Sequence, residues 1–318
     1  MTLRDTPLGP GPEFDAIRAM VRRWGPRARG IGDDAALLEV PAGERVAVST
    51  DASVEDVHFR RHWMTPREVG YRATIAALSD LAAVAATPLG LVCALAVPEQ
   101  WRADLLELAE GIGEAAHMHG TPIVGGNVTR GDKLSLTITV LGSVTKPLPR
   151  DGVRAGDALF VTGRLGGAGA ALAALMRGEV PEPAHRERFV RPAPRIAEAR
   201  WLAAHGAHAA IDVSDGLLAE LAHLSAASAV AISVDLDRVP CFHGVAPEDA
   251  LRSGEEYELV VAARALDTRA FEEIHGVPLT AIGDAASLDG RPAPSVRIDG
   301  AERGSRVARR AGHDHFST

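Results

Sequence analysis

Aromatic side chains make up only 4% of the 318 residues, so a core here has to be built mainly from Ala, Val, Leu and Ile. Cysteine is scarcer still. Cys93 and Cys241 supply neither a disulfide framework nor a metal-binding pattern. Cys93 falls inside Leu91-Val92-Cys93-Ala94-Leu95, which reads as a buried, inert thiol. No stretch approaches the ~20 apolar residues of a membrane span. The first residues have no apolar core of signal-peptide type, and the cytoplasm is the expected location. Positive charge is not in excess. The net charge of −8 argues against nucleic acid as a partner, because a phosphate backbone needs a basic footprint. It leaves room for a small phosphorylated molecule, provided metal ions bridge the two anions. There is no Ser/His/Asp order, no cysteine nucleophile and no His-x-x-x-His.

What is present is enough chain for two domains. Residues 14–24 carry a helical stripe of Phe14, Ile17, Met20, Val21 and Trp24. Residues 45–49 predict a short strand. Residues 66–86 predict a long helix, with Thr65 as N-cap and Thr87-Pro88 as its stop. A strand over 89–97, a helix over 99–119 and a short strand over 122–125 follow. Residues 134–144 alternate cleanly and predict a half-exposed strand. A turn-rich stretch near 146–157 marks a boundary, giving domains 1–146 and 147–318. The second half predicts a strand at 158–161, an Ala-rich helix, and a helical pair interrupted by Arg191-Pro192-Ala193-Pro194-Arg195. It continues with a strand at 209–211, a helix over 214–228, and strands near 231–236, 258–262, 279–283 and 296–298. Strands do not alternate strictly with helices, so the expected class is α+β, with two mixed domains, rather than a doubly wound parallel sheet.

Four aspartate-bearing stretches lie where apolar runs meet turns or helix starts. They are Gly32-Asp33-Asp34, Ser49-Thr50-Asp51, Leu78-Ser79-Asp80-Leu81 and Asp212-Val213-Ser214-Asp215-Gly216. Carboxylates gathered by a fold repel one another unless cations lie between them. Hard cations such as Mg²⁺ take oxygen ligands at roughly 2.0–2.1 Å and often share substrate phosphates. The expectation is a phosphate-handling enzyme that works through several metal ions. Plainer readings exist for each stretch. Asp33 and Asp34 suit a turn. A strand-end cap accounts for Asp51 as well as a ligand role does. Asp80 resists such a reading, because an unpaired carboxylate inside an apolar helix costs several kcal/mol. It needs a cation, strong donors or a salt bridge, for example to Arg72. Ser214 suits an N-cap and Asp215 the positive end of a helix dipole, yet one helix start rarely needs two acids and a serine.

Gly125-Gly126-Asn127 follows a strand, and two glycines let backbone N–H groups approach a phosphate. Residues 163–169 are also glycine-rich. They lack the lysine of a Walker A loop and the spacing of a dinucleotide fingerprint, so close helix–strand packing explains them better. His58, in Val57-His58-Phe59, reads as structural from its neighbours alone. His313 and His315 fit a frayed end.

In order and spacing these stretches resemble the thiamine-monophosphate kinase family. Gly30 to Ala36, Ser49-Thr50-Asp51 with His58-Phe59, Leu78 to Ala83 and Gly125 to Gly131 carry the resemblance. So do Val161-Thr162-Gly163, Arg191 to Arg195, Ile211 to Gly216, Ser253 to Leu259 and Asp314-His315-Phe316. The resemblance implies an N-terminal domain that binds ATP and dimerises through its strands, followed by a C-terminal α+β domain. It implies ATP-dependent phosphorylation of thiamine monophosphate to thiamine diphosphate by a homodimer. Asp33, Ser49, Thr50, Asp51, Asp80, Asn127, Asp212 and Asp215 are then the expected Mg²⁺ positions. Gly126, Asn127, Arg150 and Ser214 would contact ATP, and His58, Glu255 and Phe316 the thiamine phosphate.

The chain departs from the family pattern at four places. Asn127 stands where an aspartate is usual, which removes one negative charge. Glu256 replaces an aspartate before Tyr257, Ala77 an asparagine, and Ala85 a glycine, the last expected to help its helix. Two alternatives stay open at this point. One is another ATP-using enzyme of the superfamily, such as aminoimidazole ribonucleotide synthetase. The other is a non-catalytic nucleotide-binding protein that kept the fold.

Overall fold

A computed structural model describes residues 11–31, 35–288, 293–300 and, as backbone, 306–307. The expected N-terminal arm, the Gly32-Asp33-Asp34 stretch and the stretch from His313 to Phe316 lie outside the described residues. The chain divides into two compact units. One comprises residues 1–81 and 86–145, the other 82–85 and 146–318.

In the first unit, α1 (Pro12–Trp24) leads to β1 (Arg45–Val54), α2 (Pro66–Ala83), β2 (Thr87–Val97), α3 (Leu105–Met118), β3 (Ile123–Arg130) and β4 (Ser135–Val144). The sheet order is β1-β4-β2-β3, with only β2–β3 parallel. The alternation read in the sequence decides how β4 sits. Leu136, Ile138 and Val140 are fully buried on one face, and their neighbours are half-exposed on the other. Helix α2 is apolar almost all round and is buried accordingly, with Ile75, Leu78 and Ser79 wholly inaccessible. A capping box starts it. Thr65 Oγ1 accepts from Glu68 N at 3.2 Å, and Glu68 Oε2 accepts from Thr65 N at 2.8 Å. Helix α1 is tied to α3 by the indole of Trp24, whose Nε1 donates to Ala109 O at 2.7 Å.

Three local expectations are corrected here. Strand β1 runs on to Val54, so Ser49, Thr50 and Asp51 lie in mid-strand. Ten consecutive residues pair with the strongly alternating β4, which overrides their weak strand propensity. Helix α2 stops at Ala83, and Thr87 and Pro88 already belong to β2. Pro88 is accommodated at an irregularity of register between Pro88 and Gly90. Ala85 lies beyond the helix with φ 58°, in the closing turn where Ala86 N bonds Leu81 O at 2.8 Å. A left-handed alanine costs about 1–2 kcal/mol relative to an allowed right-handed conformation. Ala85 therefore strains the turn instead of helping the helix.

The second unit carries β5 (Ala158–Thr162), α4 (Gly167–Met176), α5 (Pro183–Val190), α6 (Ile196–Ala204), β6 (Ala209–Asp212) and α7 (Leu217–Ser228). It continues with β7 (Ala231–Asp235), α8 (Pro247–Ala250), β8 (Leu259–Ala263), α9 (Thr268–His275), β9 (Leu279–Ala286), β10 (Ser295–Asp299) and β11 (Arg306–Val307). Its sheet order is β11-β10-β7-β9-β5-β8-β6, antiparallel except at β10–β7. The α+β class follows from this pairing. Leu159, Val161, Ile211, Leu217, Leu221 and Val260 belong to a core cluster that is aliphatic among the described residues, in line with the composition. Helix α9 was not expected, although Asp267 marks its start by accepting from Ala270 N at 3.0 Å.

Candidate functional site

In the first unit the functional side chains divide by sheet face. Along β1, Ala47, Ser49, Asp51 and Ser53 are half-buried, whereas Val46, Val48, Thr50 and Ala52 are exposed. The half-buried face is the one that carries Leu136, Ile138 and Val140 of β4, through the pairs Ser49↔Val140 and Asp51↔Ile138. Ser49 Oγ donates to Asp80 Oδ2 of α2 at 2.5 Å. Ser49, Asp51 and Asp80 thus share one side of the sheet. Asp51 Oδ1 accepts from Ala52 N at 2.7 Å. The donor demanded by a carboxylate in an apolar helix includes the Ser49 hydroxyl, while Arg72 Nη1 is directed to His58 O at 3.1 Å.

Thr50 points the other way, sharing a hydrogen bond with Thr139 Oγ1 at 2.9 Å. Asn127 lies on that same opposite face, through the register Ala52↔Thr137↔Ala94↔Asn127. It borders a shallow depression with Ala94, Ala96, Thr129 and Thr137. The structure therefore brings Ser49 and Asp80 together and places Thr50 and Asn127 elsewhere. Gly126 is pressed on the β2 backbone. A Cβ there would lie 2.2 Å from Cys93 O, so strand packing already demands this glycine. Cys93 is buried, and burial pushes its thiol up to about 12.

His58 follows β1 in a tight turn. Its amide donates to Val54 O at 2.9 Å, and its ring Nδ1 accepts from Val54 N at 3.1 Å. A backbone N–H only donates, so Nδ1 carries no proton in this arrangement.

In the second unit, Asp212 ends β6 and is 4% exposed. Two loops are laced together beside it. Glu255 N donates to Ser214 O at 2.6 Å, Tyr257 N to Val213 O at 2.9 Å, and Val213 N to Glu258 O at 2.7 Å. Ser214 is not the N-cap of α7. That helix starts at Leu217, with Gly216 before it at φ 109° and no side-chain cap. The carboxylate of Glu220 reaches back instead. It accepts from Asp215 N at 3.0 Å and from Ser214 Oγ at 3.4 Å. Burial raises the Glu220 pKa and the nearby Asp215 charge adds to this, with the Asp215 N–H and Arg150 opposing. Glu255 has φ 58° and accepts from Tyr257 Oη at 3.2 Å. Arg150 lies in an exposed single turn whose carbonyl receives Ser228 Oγ at 2.9 Å.

Sequence reading passed over Glu220. Its signal was the one that made Asp80 conspicuous, an acid inside an apolar helical run, Leu217-Leu218-Ala219-Glu220-Leu221. No group of three or more His, Cys, Asp or Glu able to share a metal ion occurs among the described residues. Asp33 and Phe316 lie outside them. Asp51 and Asp80 belong to the first unit, Asp212 and Asp215 to the second.

Comparison with known proteins places these observations. Residues 32–144 match the family of the AIR synthase related protein, N-terminal domain, and residues 154–286 that of its C-terminal domain. The chain is 35% identical to the thiamine-monophosphate kinase of Bacillus subtilis over 78% of its own length and 82% of that protein. It is similar to the crystal structure of thiamine-monophosphate kinase from Stenotrophomonas maltophilia, at 36% identity and a TM-score of 0.79, covering 89% of this chain and 96% of that one. The structure of AaThiL complexed with AMPPCP and TMP is 27% identical, with a TM-score of 0.72, and covers 93% of this chain and 96% of that one. On these matches, the chain belongs to the thiamine-monophosphate kinase family.

Proposed function

We propose that this protein transfers the γ-phosphoryl group of ATP to thiamine monophosphate, giving thiamine diphosphate and ADP. One observation carries this reading beyond the coarse family. The solved relative that holds an ATP analogue together with TMP matches this chain over nearly its whole length. Ser49, Asp51 and Asp80 stand on one sheet face, as a site for bridged phosphates requires.

The acceptor is a phosphate oxygen, already ionised near neutral pH, so the transfer needs no strong general base. A bond forms between that oxygen and the γ-phosphorus, while the bond from γ-phosphorus to the β–γ bridging oxygen breaks and ADP leaves. We infer a direct, in-line transfer without a phosphoenzyme. His58 fits a positioning role in this scheme. With Nδ1 engaged by Val54 N–H, the neutral ring presents an N–H donor at Nε2, suited to a phosphate oxygen.

Ser49, Asp51 and Asp80 offer only oxygen donors, the type that Mg²⁺ selects, so the residues present fit that ion. In this reading Ser49, Asp51 and Asp80, with Asp33, Asp212 and Asp215, would hold several Mg²⁺ ions, whereas the side chains of Thr50 and Asn127, on the opposite face of the sheet, would not share an ion with Ser49, Asp51 and Asp80. When bound, Mg²⁺ supplies neutralisation of the charge between two anionic substrates. Gly126, Asn127, Arg150 and Ser214 are assigned to ATP, and His58, Glu255 and Phe316 to the acceptor. Residues 1–146 form the ATP-binding and dimerising domain and residues 147–318 the second domain. The working form in this reading is a homodimer in the cytoplasm.

A coupled assay of ADP release tests the reading. ADP release should depend on thiamine monophosphate, exceed that with other phosphorylated acceptors, and invert configuration at a chiral γ-phosphorus. ATP turnover indifferent to thiamine monophosphate would overturn it.

A further inference from the structure

Three stretches singled out in the sequence, Val161-Thr162-Gly163, Arg191 to Arg195 and Ser253 to Leu259, have no part in the scheme above except through Glu255. In the fold they converge on one buried charge cluster. Arg195 Nε and Nη2 grip the two oxygens of Glu258 at 2.6 and 2.5 Å. Thr162 Oγ1 donates to Glu258 Oε2 at 2.6 Å and accepts from Leu259 N at 2.9 Å. Arg188, on α5, donates through Nη2 to Glu258 Oε1 at 2.8 Å and to the backbone carbonyl of Glu256. Its Nε reaches Glu256 Oε2 at 3.2 Å. Glu256 Oε1 takes Gly166 N at 2.8 Å, Ala168 N at 3.1 Å and Ser253 Oγ at 2.5 Å. The two acids are 0% and 1% exposed, Arg188 9%. Two guanidinium groups face these two carboxylates, and Arg195 Nη1 also reaches a third, Glu198 Oε1, at 3.3 Å at the edge of the cluster.

Burial raises the Glu256 pKa against the pull of Arg188. Burial would do the same to Glu258, but Arg188 and Arg195 hold it below the usual carboxylate range. The carboxylate of Glu256 also fills the amino end of α4. The glycine-rich turn before that helix is therefore occupied by the protein's own anion rather than open to a phosphate.

The backbone around Glu256 shows what this cluster constrains. Glu255 and Tyr257 adopt φ 58° and 52°, left-handed values that non-glycine residues keep only where their surroundings over-determine them. Gly254 leaves no slack, since a Cβ there would lie 2.7 Å from Ser214 O. Amides 255, 256 and 257 all donate to the carbonyls of Ser214 and Val213.

We propose that Arg188, Arg195, Glu256 and Glu258 form a positioning lock, which sets the place of Glu255 and of the Asp212-to-Gly216 loop without touching a substrate. The assignment rests on the reading of Glu255 as an acceptor contact. It accounts for the in-and-out order of the segment. Glu255 is half-buried and Glu256 fully buried in the core, and the left-handed residues on either side of Glu256 make that reversal.

Glu256→Gln tests the lock, because it keeps the acceptor oxygen and the shape but removes the charge opposite Arg188. Steady-state ADP release and amide hydrogen exchange are measured together. The expected result is a KM for thiamine monophosphate raised about tenfold, with a smaller change in the KM for ATP. Amides 255–257 should exchange at least about tenfold faster in a variant that still melts cooperatively. Glu256→Asp, which restores the charge, should recover most of both. A folded Glu256→Gln with wild-type KM and wild-type exchange overturns the proposal. If Glu256→Gln does not fold, Ser253→Ala removes one neutral donor from the same carboxylate and should show the same pattern at about threefold. If the wild-type protein releases no ADP with thiamine monophosphate, the functional reading fails by itself. The exchange rates then still decide the lock.

Discussion

At the residue scale, the sequence signal with the most content was a carboxylate in surroundings that do not suit one. Asp80 on α2 and Glu220 on α7 both interrupt apolar runs, and both turn out to accept hydrogen bonds at a candidate site. The logic is energetic, since an ion held away from water must be matched by donors or cations. Replacing Asp80 with Asn keeps an oxygen that can accept from Ser49 Oγ and removes only the charge. Its turnover is expected to fall at least about 100-fold, with melting within a few degrees of wild type. Near wild-type turnover at low Mg²⁺ would sink the role proposed for this carboxylate. Other residues were not legible in this way. Asn127 and Asp51 both looked like ligands in the sequence, but a strand sends alternate side chains to opposite faces. Only the register of four strands shows that they part company.

Among the elements, most helices and strands were legible and most errors fell at their ends. The N-cap at Thr65, the alternation in β4 and the stripe on α1 are local patterns, and each produced the element it predicted. The ends of β1 and α2 are set by pairing and by a left-handed turn at Ala85, which no local pattern announced. The seat of α1 on α3 makes a pH prediction. Glu110 of α3 receives Arg27 Nη1 at 3.1 Å and Arg23 Nε at 2.7 Å. The hydrogen bond from Arg27 holds its carboxyl below the usual range, with Arg23 adding to it against burial. A depressed carboxylate contributes stability above its unfolded pKa, and that contribution is lost as the pH falls through the folded value. Both arginines are partly exposed, so the contribution is about 0.5–1 kcal/mol. Glu110→Gln should therefore be less stable than wild type by that amount at pH 7 in urea titrations. The two should converge as the pH is lowered below about 4. A constant difference across pH would assign the loss to packing instead.

For the whole molecule, the open question is what covers the second face of the four-stranded sheet. One face carries Leu136, Ile138 and Val140 and is closed by helices. The other presents Val46 and Val48 at 53% and 61% exposure, beside Thr50 and the small residues around Asn127. A sheet face with exposed valines and no helix over it among the described residues is an incomplete layer. A second copy of the chain would complete it in the homodimer proposed above. Two protomers of net charge −8 repel one another, so the apolar face must outweigh that repulsion, and added salt should strengthen the dimer. This makes Val48→Lys a clean test. The new positive charge lowers the overall repulsion, so any weakening must come from lost apolar contact and from burying an ammonium group. Sedimentation velocity should give a species of 33.4 kDa for Val48→Lys and of twice that mass for wild type. Val180→Lys, at a side chain 93% exposed in the other unit, should leave the wild-type mass unchanged. A Val48→Lys protein that still sediments as a dimer would place the interface on some other surface.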